Sequence, residues 1–202
     1  GDTEWERLAG LTFPATYALM ARRHFHEYNS NHDDLVNISV KNHMHGFENE
    51  FAHIRKEVSF EKAASGFMVA DPLTLYDCCP TSDGASCVIL AADHVVREFT
   101  DDPIWLKGSG AGSDHLALHD RHSITQMSAT QKAVAQAYKS SGVSARDIDL
   151  AEVHDCFTIA ELMATEDLGF ANRGEGGLFA RQGRGIRNEG DVAINPSGGL
   201  KS

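Results

Sequence analysis

Helix and strand signals alternate between residues 128 and 169, and this alternation limits the fold more than any other feature of the sequence. Ser128-Ala-Thr-Gln131 has the pattern of a capping box and predicts a helix over residues 128–141, which Gly142 ends. A strand is predicted at residues 150–154 and a second helix at residues 157–168. Helix, strand and helix in close succession indicate an α/β fold.

The elements before this stretch are less regular. Residues 12–28 predict a helix, with Pro14 in its first turn and an Asn-Ser-Asn stop after it. Residues 29–70 have many polar side chains and weak periodicity, which favours a long functional loop, and only residues 36–40 alternate as a strand does. Further strands are predicted at residues 73–77, 85–92 and 191–195. The second of these is apolar enough to be buried on both faces.

Charge and composition exclude several classes of function. The 202 residues carry 18 Lys and Arg against 29 Asp and Glu, a formal net charge of −11. Such an acidic surface repels phosphate backbones, so no nucleic-acid partner is expected. The longest apolar run, residues 87–92, is far shorter than the ~20 residues of a membrane helix, so no membrane partner is expected. The four cysteines form no C-x-x-C pair, which favours a reducing, cytoplasmic location.

His154 is the most specific candidate for chemistry. It stands at the carboxyl end of a predicted strand and directly before a predicted helix, where open α/β sheets collect ligands. A neutral imidazole there can donate a hydrogen bond to an oxygen on which negative charge develops. The alternative, a histidine that caps the helix, has equal weight on spacing alone.

Other nucleophile, metal and phosphate signals are weaker. Cys156 lies two residues after His154, but a buried small side chain explains it better than a Cys–His pair. The spacings His115-x-x-x-His119-x-x-His122, His24-x-His26 and His43-x-His45 resemble metal-ligand spacings. No Cys or carboxylate is tied to them by spacing, so no metal is expected. Gly183-Arg-Gly185 has no dinucleotide or P-loop pattern around it.

Three motifs taken together resemble the thiolase superfamily. They are Leu150-Ala-Glu-Val-His-Asp-Cys-Phe-Thr158, Cys79-Pro-Thr-Ser-Asp-Gly-Ala85 and Asn195-Pro-Ser-Gly-Gly199. The most similar branch contains the archaeal acetyl-CoA acetyltransferase-like and the sterol-carrier-protein-x type thiolases. Tyr17-Ala-Leu-Met-Ala-Arg-Arg-His24 and Val40-Lys-Asn-His43 look like the loop region of that branch.

The resemblance implies a fold and a division of the chain. The expected fold is α/β, two similar halves stacked as α-β-α-β-α layers with a loop domain inserted in the first half. Residues 1–72 would belong to the loop domain, 73–102 to the end of the first half and 103–202 to the start of the second. Gly108-Ser-Gly-Ala-Gly-Ser113 is predicted to be flexible and to lie near the boundary between the halves.

The resemblance also implies the chemistry. The family transfers acyl groups between coenzyme A thioesters, so coenzyme A thioesters are the expected substrates and no permanently bound cofactor is expected. Common thiolases use the Asn of an Asn-Glu-Ala-Phe motif to hold the thioester oxygen, and in this branch that position falls on His154. Asn195, Gly198 and Gly199 would begin a catalytic loop. A homodimer or homotetramer is expected, and a role in lipid metabolism.

Contacts with coenzyme A are expected from the loop domain. Lys41, Asn42 and His43 are the candidates, because cationic and hydrogen-bonding side chains can meet phosphates and amides. A loop stabilised by its own polar network is an equally good explanation of the same residues.

The sequence also departs from the family pattern. No stretch resembles the family's nucleophilic Cys segment, its Gly-His-Pro motif or its second catalytic Cys. The expectation is therefore an internal segment of a thiolase that folds poorly and has little activity by itself.

Two other functions remain open. One is a thiolase-like lyase that cleaves acyl-CoA side chains by retro-aldol chemistry beside a small OB-fold partner. Such lyases tend to replace the His of His-Asp-Cys-Phe, which this chain retains at His154, so the lyase ranks below the transferase. The other is a non-catalytic chain that binds acyl-CoA.

Overall fold

The computed structural model describes residues 2–202 as seven helices, four short strands and several single turns. The helices are α1 (Phe13–Tyr28), α2 (His32–Glu48), α3 (Phe60–Ala64), α4 (Asp93–Val96), α5 (Ser128–Ser141), α6 (Thr158–Asp167) and α7 (Gly176–Arg181). The strands are β1 (Met68–Ala70), β2 (Leu73–Thr74), β3 (Leu150–Ala151) and β4 (Ala193–Ile194). No helix in this part of the chain is both long and apolar enough to cross a membrane.

The helix predicted at residues 12–28 is confirmed as α1, and both of its ends have strong local signals. The Thr12 side chain accepts a hydrogen bond from the Ala15 N–H at 3.3 Å, and Pro14 occupies the first turn. Asn29 ends the helix in the left-handed conformation, with φ of 57°. Met20 and Ala21 are buried in the core.

The long loop predicted for residues 29–70 is wrong, because α2 occupies much of it. Asn31 and Asp34 form a capping box, and the Asp34 side chain accepts a hydrogen bond from the Asn31 N–H at 2.9 Å. The strand predicted at residues 36–40 therefore lies within a helix. Its pattern misled because α2 buries polar as well as apolar side chains, which removes the usual helical contrast between two faces.

The second predicted helix, α5, is confirmed and also explains the glycine-rich segment before it. Gly142 ends α5 with φ of 72°, but the capping box does not form, since Met127 is the N-cap residue and makes no side-chain cap bond. Gly110 lies so close to α5 that an added Cβ would stand 1.9 Å from the Ala133 carbonyl oxygen. The Ala111 backbone also exchanges hydrogen bonds with the Gln136 amide at 3.3 and 3.1 Å. Residues 108–113 thus pack against a helix, which corrects the prediction of a flexible segment.

Strands are fewer and shorter than predicted. β3 and β4 pair in parallel, with Leu150 opposite Ala193, and each covers two residues of its predicted range. β2 pairs antiparallel with β1 and is followed by a single 3-10 turn, Leu75–Asp77.

The strand predicted at residues 85–92 is wrong. The backbone there has no regular secondary structure, and Ile89 is 91% exposed. Within residues 2–202 no strand pairs with this segment. Without a neighbouring strand, its backbone cannot form the hydrogen bonds of a β-sheet.

One hydrophobic core joins regions that the predicted division at residues 72 and 102 would separate. It collects buried side chains from α1, α2, β2, α6, the two residues before α6 and the turn at residues 118–120: Ala18, Met20, Ala21, Leu35, Ile38, Leu73, Leu118, Cys156, Phe157, Ile159, Ala160, Leu162 and Met163. The α/β class is confirmed, and the division into three regions stays a prediction. This core sets the relative positions of α2, α6 and the segments that enter them.

Candidate functional site

A buried carboxylate on α6 connects α2, α6 and the end of β4. Glu161 is 1% exposed, and its Oε1 lies 2.9 Å from Lys41 Nζ. Its Oε2 accepts hydrogen bonds from the side-chain amides of Asn42 at 2.7 Å and Asn195 at 2.8 Å. The Lys41 ammonium also donates to the Ile194 carbonyl at 2.6 Å. Because a buried charge is tolerated only when it is paired and hydrogen bonded, these contacts select one arrangement of the three segments.

A second buried carboxylate extends this polar network to the end of the described chain. Asp155 Oδ2 accepts a hydrogen bond from the Asn42 amide at 2.9 Å, and its Oδ1 accepts one from the Leu200 N–H at 2.7 Å. Burial, together with the nearby Glu161 charge, raises the pKa of Asp155 to about 6. The Leu200 hydrogen bond and the Lys201 charge act in the opposite direction.

The segment before α6 is held residue by residue by the loop after β4. The Ser197 N–H and hydroxyl donate to the Glu152 carboxylate at 3.0 and 2.8 Å, and the Val153 N–H donates to Asn195 Oδ1 at 2.8 Å. His154 lies between these anchored residues and Asp155. Its side chain is exposed, and its ring makes no hydrogen bond within residues 2–202. The backbone of His154 is therefore fixed while its imidazole is free to meet a ligand.

The loop after β4 requires residues that tolerate positive φ. Asn195, Gly198 and Gly199 have φ of 50°, 100° and 61°. A Cβ at Gly199 would stand 2.6 Å from both Asp155 carboxylate oxygens, so only glycine lets the Leu200 N–H approach Asp155.

The three residues predicted to contact coenzyme A lie in α2, not in a loop. Lys41 and Asn42 are buried, and their polar groups bond to Glu161, Asp155 and Ile194. This matches the alternative reading of an internal polar network. His43 differs, because its Nδ1 is buried and has no hydrogen-bond partner among residues 2–202.

His43 lines a cavity of about 280 Å³. Its ring stands edge-on to Tyr76, with centroids 6.0 Å apart, and Lys201 is another lining residue. Burial, and to a lesser extent the Lys201 charge, lowers the pKa of His43 to about 4. His43 is therefore a neutral imidazole at neutral pH.

Cys156 has the environment of a packing residue. It is 4% exposed, and burial raises the pKa of its thiol. The Tyr17 ring stacks on Phe157, the residue after Cys156, with centroids 4.6 Å apart. Since the thiolate is the nucleophilic form, this environment opposes a nucleophile at Cys156.

The histidine pairs with metal-like spacing do not converge. Within residues 2–202, no group of three or more His, Cys, Asp and Glu side chains is arranged to hold a metal ion. His24 instead bonds to Ser30 at 2.6 Å and to Glu166 at 3.1 Å. His45 Nδ1 lies 2.9 Å from the Asn195 carbonyl, and its Nε2 accepts from the Arg187 N–H, so it supports the loop after β4.

Sequence reasoning did not predict the roles of the Glu161 and Asp155 carboxylates or of Lys201 in organising the site. Glu161 did leave a signal, since it is one acidic residue in the otherwise apolar start of α6, Thr158-Ile-Ala-Glu-Leu-Met163. Lys201 left none, because a surface lysine after a glycine-rich loop has the same sequence pattern. The Lys201 ammonium is 1% exposed and donates to the Asp77 carbonyl.

The chain is thus a mixed helix–strand fold in which the glycine-rich loop after β4 anchors the backbone next to His154, just before α6. Residues 110–202 match the family described as thiolase C-terminal domain-like. The acetyl-CoA acetyltransferase of Methanothermobacter thermautotrophicus is 47% identical over 201 residues, which are 100% of this chain and 52% of that protein. Sterol carrier protein 2 of Oryctolagus cuniculus is 32% identical over 94% of this chain and 35% of that protein.

A solved structure described as an Ltp2-ChsH2(DUF35) aldolase has the same fold. Its TM-score is 0.86 at 28% identity, over 98% of this chain and 53% of that one. The family match and the archaeal relative confirm the resemblance to the thiolase superfamily that the three motifs predicted. It spans about half the length of the archaeal relative it matches.

Replacement of Glu161 tests the network. Glu161→Gln keeps the shape but leaves the Lys41 ammonium buried without its carboxylate, and we expect a loss of about 3–5 kcal/mol in the free energy of unfolding. Glu61→Gln, at an exposed position on α3, is the matched control and should cost about 0.5 kcal/mol or less. Urea unfolding of the protein that carries this chain measures both. Equal small losses would contradict the network's role.

The low pKa of His43 predicts a pH dependence of stability. Between pH 6.5 and 4, the unfolded chain binds a proton at this position and the folded chain does not, so stability falls as the pH falls through that window. His43→Phe, which keeps the ring contact with Tyr76, should make this loss shallower. Urea midpoints across the window measure it, and a slope unchanged by the substitution would show that His43 is not held neutral by the fold.

Proposed function

We propose that the protein carrying this chain is a thiolase-type acyl-CoA C-acyltransferase, in which His154 holds the thioester oxygen of the substrate. The observation that carries the proposal is that His154, three residues after the end of β3, follows a backbone anchored at Val153, and that its exposed ring makes no hydrogen bond within residues 2–202. The archaeal relative named acetyl-CoA acetyltransferase supports the reaction class.

The proposed role of His154 is electrostatic stabilisation of the reacting thioester. When a carbon–carbon bond forms or breaks next to a thioester, negative charge develops on the thioester oxygen. An imidazole N–H aimed at that oxygen stabilises the charge most when its position is fixed beforehand, since no energy is then spent on reorganisation during the reaction. Asn195 and Asp155 supply this order through the backbone on either side of His154, so they are positioning residues.

The contact with the acyl-CoA substrate that was expected from Lys41, Asn42 and His43 is here assigned to His43. The polar groups of Lys41 and Asn42 already bond within the chain, so their proposed part in binding is to hold α2 in place. Of the three, only His43 has a buried polar side-chain atom that lacks a hydrogen-bond partner within residues 2–202. The homodimer or homotetramer, the cytoplasmic location and the role in lipid metabolism remain parts of the same proposal.

A thiolase-like retro-aldol lyase is the second candidate, because the structural neighbour is described as an aldolase with a DUF35 component. The two reactions differ in their use of free coenzyme A. Thiolytic transfer consumes it, whereas retro-aldol cleavage of a 3-hydroxyacyl-CoA does not and releases a carbonyl product. Thiolysis of acetoacetyl-CoA supports the transferase, and carbonyl release without coenzyme A consumption supports the lyase. Affinity for coenzyme A with neither reaction supports a non-catalytic binding chain.

His154→Ala should lower kcat for acetoacetyl-CoA thiolysis by about a hundredfold or more, because one oxyanion donor is lost. His154→Asn supplies a side-chain N–H in the same place and should recover part of the rate. The exposed His122→Ala is the matched control. A loss below about threefold for His154→Ala in a folded protein contradicts the role of His154.

A further inference from the structure

The cavity that His43 and Lys201 share contains two buried polar groups with unused hydrogen-bonding capacity. His43 is 7% exposed, and its Nδ1 has no partner in the described part of the chain. Lys201 is 1% exposed, and its ammonium, which has three protons, makes one hydrogen bond with the residues that the structure describes, to the Asp77 carbonyl. Buried polar groups are normally satisfied, so two under-used groups in one cavity indicate a ligand that supplies the partners.

The charges around the cavity favour an anion. Lys201 is part of the lining, and the exposed Lys56 and Lys62 also line it. The buried Asp155 and Asp77 carboxylates balance part of the Lys201 charge, but their oxygens bond to other groups. No carboxylate is among the lining residues.

The size and walls of the cavity favour a chain end with one carboxylate. Ile54, Val58, Leu75 and Pro80 give it apolar walls, and about 280 Å³ is below the roughly 300–1,000 Å³ of pockets that take drug-sized ligands. An adenine nucleotide is too large for it. A carboxylate is planar and singly charged, and it can accept from an ammonium and from an imidazole N–H at the same time.

We propose that this cavity binds a carboxylate at the end of the substrate's acyl group, so that the enzyme acts on acyl-CoA thioesters with a terminal carboxylate. The inference rests on the proposed transferase function. One carboxylate oxygen accepts from the Lys201 ammonium, and the other accepts from the His43 Nδ1–H. The apolar walls contact the methylene groups between carboxylate and thioester.

Direct binding tests the cavity without any assay of activity. Calorimetric titration of the protein that carries this chain with succinate, at constant ionic strength, should give saturable binding. Lys201→Met should weaken it by about tenfold or more, since a charge-assisted hydrogen bond is lost. Lys139→Met removes an exposed lysine on α5 and is the matched control. If Lys201→Met does not fold, His43→Phe gives the same test with the contact to Tyr76 kept.

Kinetics then test the substrate class. Thiolysis of 3-oxoadipyl-CoA and 3-oxohexanoyl-CoA, which have chains of equal length, should differ in kcat/KM by about tenfold in favour of the carboxylate, and His43→Phe should remove the difference. Equal kcat/KM values with normal thiolysis overturn the carboxylate site and leave the transferase standing. Succinate binding without any thiolysis keeps the site and overturns the transferase. Binding of inorganic phosphate but not succinate assigns the cavity to a phosphate and overturns the proposal.

Discussion

The Glu161 carboxylate is the constraint on which the rest of the site depends. It lies between two helices and a loop that are far apart in sequence, and it bonds to one cation and two amides there. Removing either Lys41 or Glu161 would leave the other charge buried without a partner. This costs more stability than replacing the whole pair by apolar side chains. The network therefore specifies one relative position of α2, α6 and the loop after β4, whatever it adds to net stability.

This arrangement positions two candidate sites, one near β3 and one near α2. Toward β3, Asn195 and Ser197 anchor the two residues before His154, and the His154 imidazole makes no hydrogen bond within residues 2–202. Toward α2, the same loop carries Lys201 into a cavity beside His43. One glycine-rich loop thus connects a hydrogen-bond donor and an anion-accepting cavity, and Gly198 and Gly199 give it the required backbone conformation.

The sequence predicted the elements whose ends carry their own chemistry. α1, α5 and α6 were found because Asn29, Gly142 and Gly169 stop them and the segments between are good helix formers. α2 was not found, because its buried face includes Asn42 and His45, and a helix that buries polar groups has no clear apolar stripe. Residues 85–92 were taken for a strand on apolar composition, and composition cannot say whether a pairing partner is present.

For the site, the sequence pointed to His154 but not to what holds it. Its place between strand and helix was visible in the local pattern, and the motifs resembling thiolases added to it. The carboxylates that order the surrounding loop bond to residues far away in the sequence. Asp155, for example, accepts a hydrogen bond from Asn42, which lies more than a hundred residues earlier. Such pairs follow from packing and leave no local trace.

A double-mutant cycle on kcat tests most directly the claim that Asn195 acts through His154. Asn195→Ala frees the Val153 N–H and lets the backbone of His154 move, so it should lower kcat in a protein that still contains His154. Once His154→Ala is present, Asn195→Ala should lower kcat little further, because the group that it positions is gone. Multiplied losses in the double variant would contradict the account, since they would show that the two residues act independently.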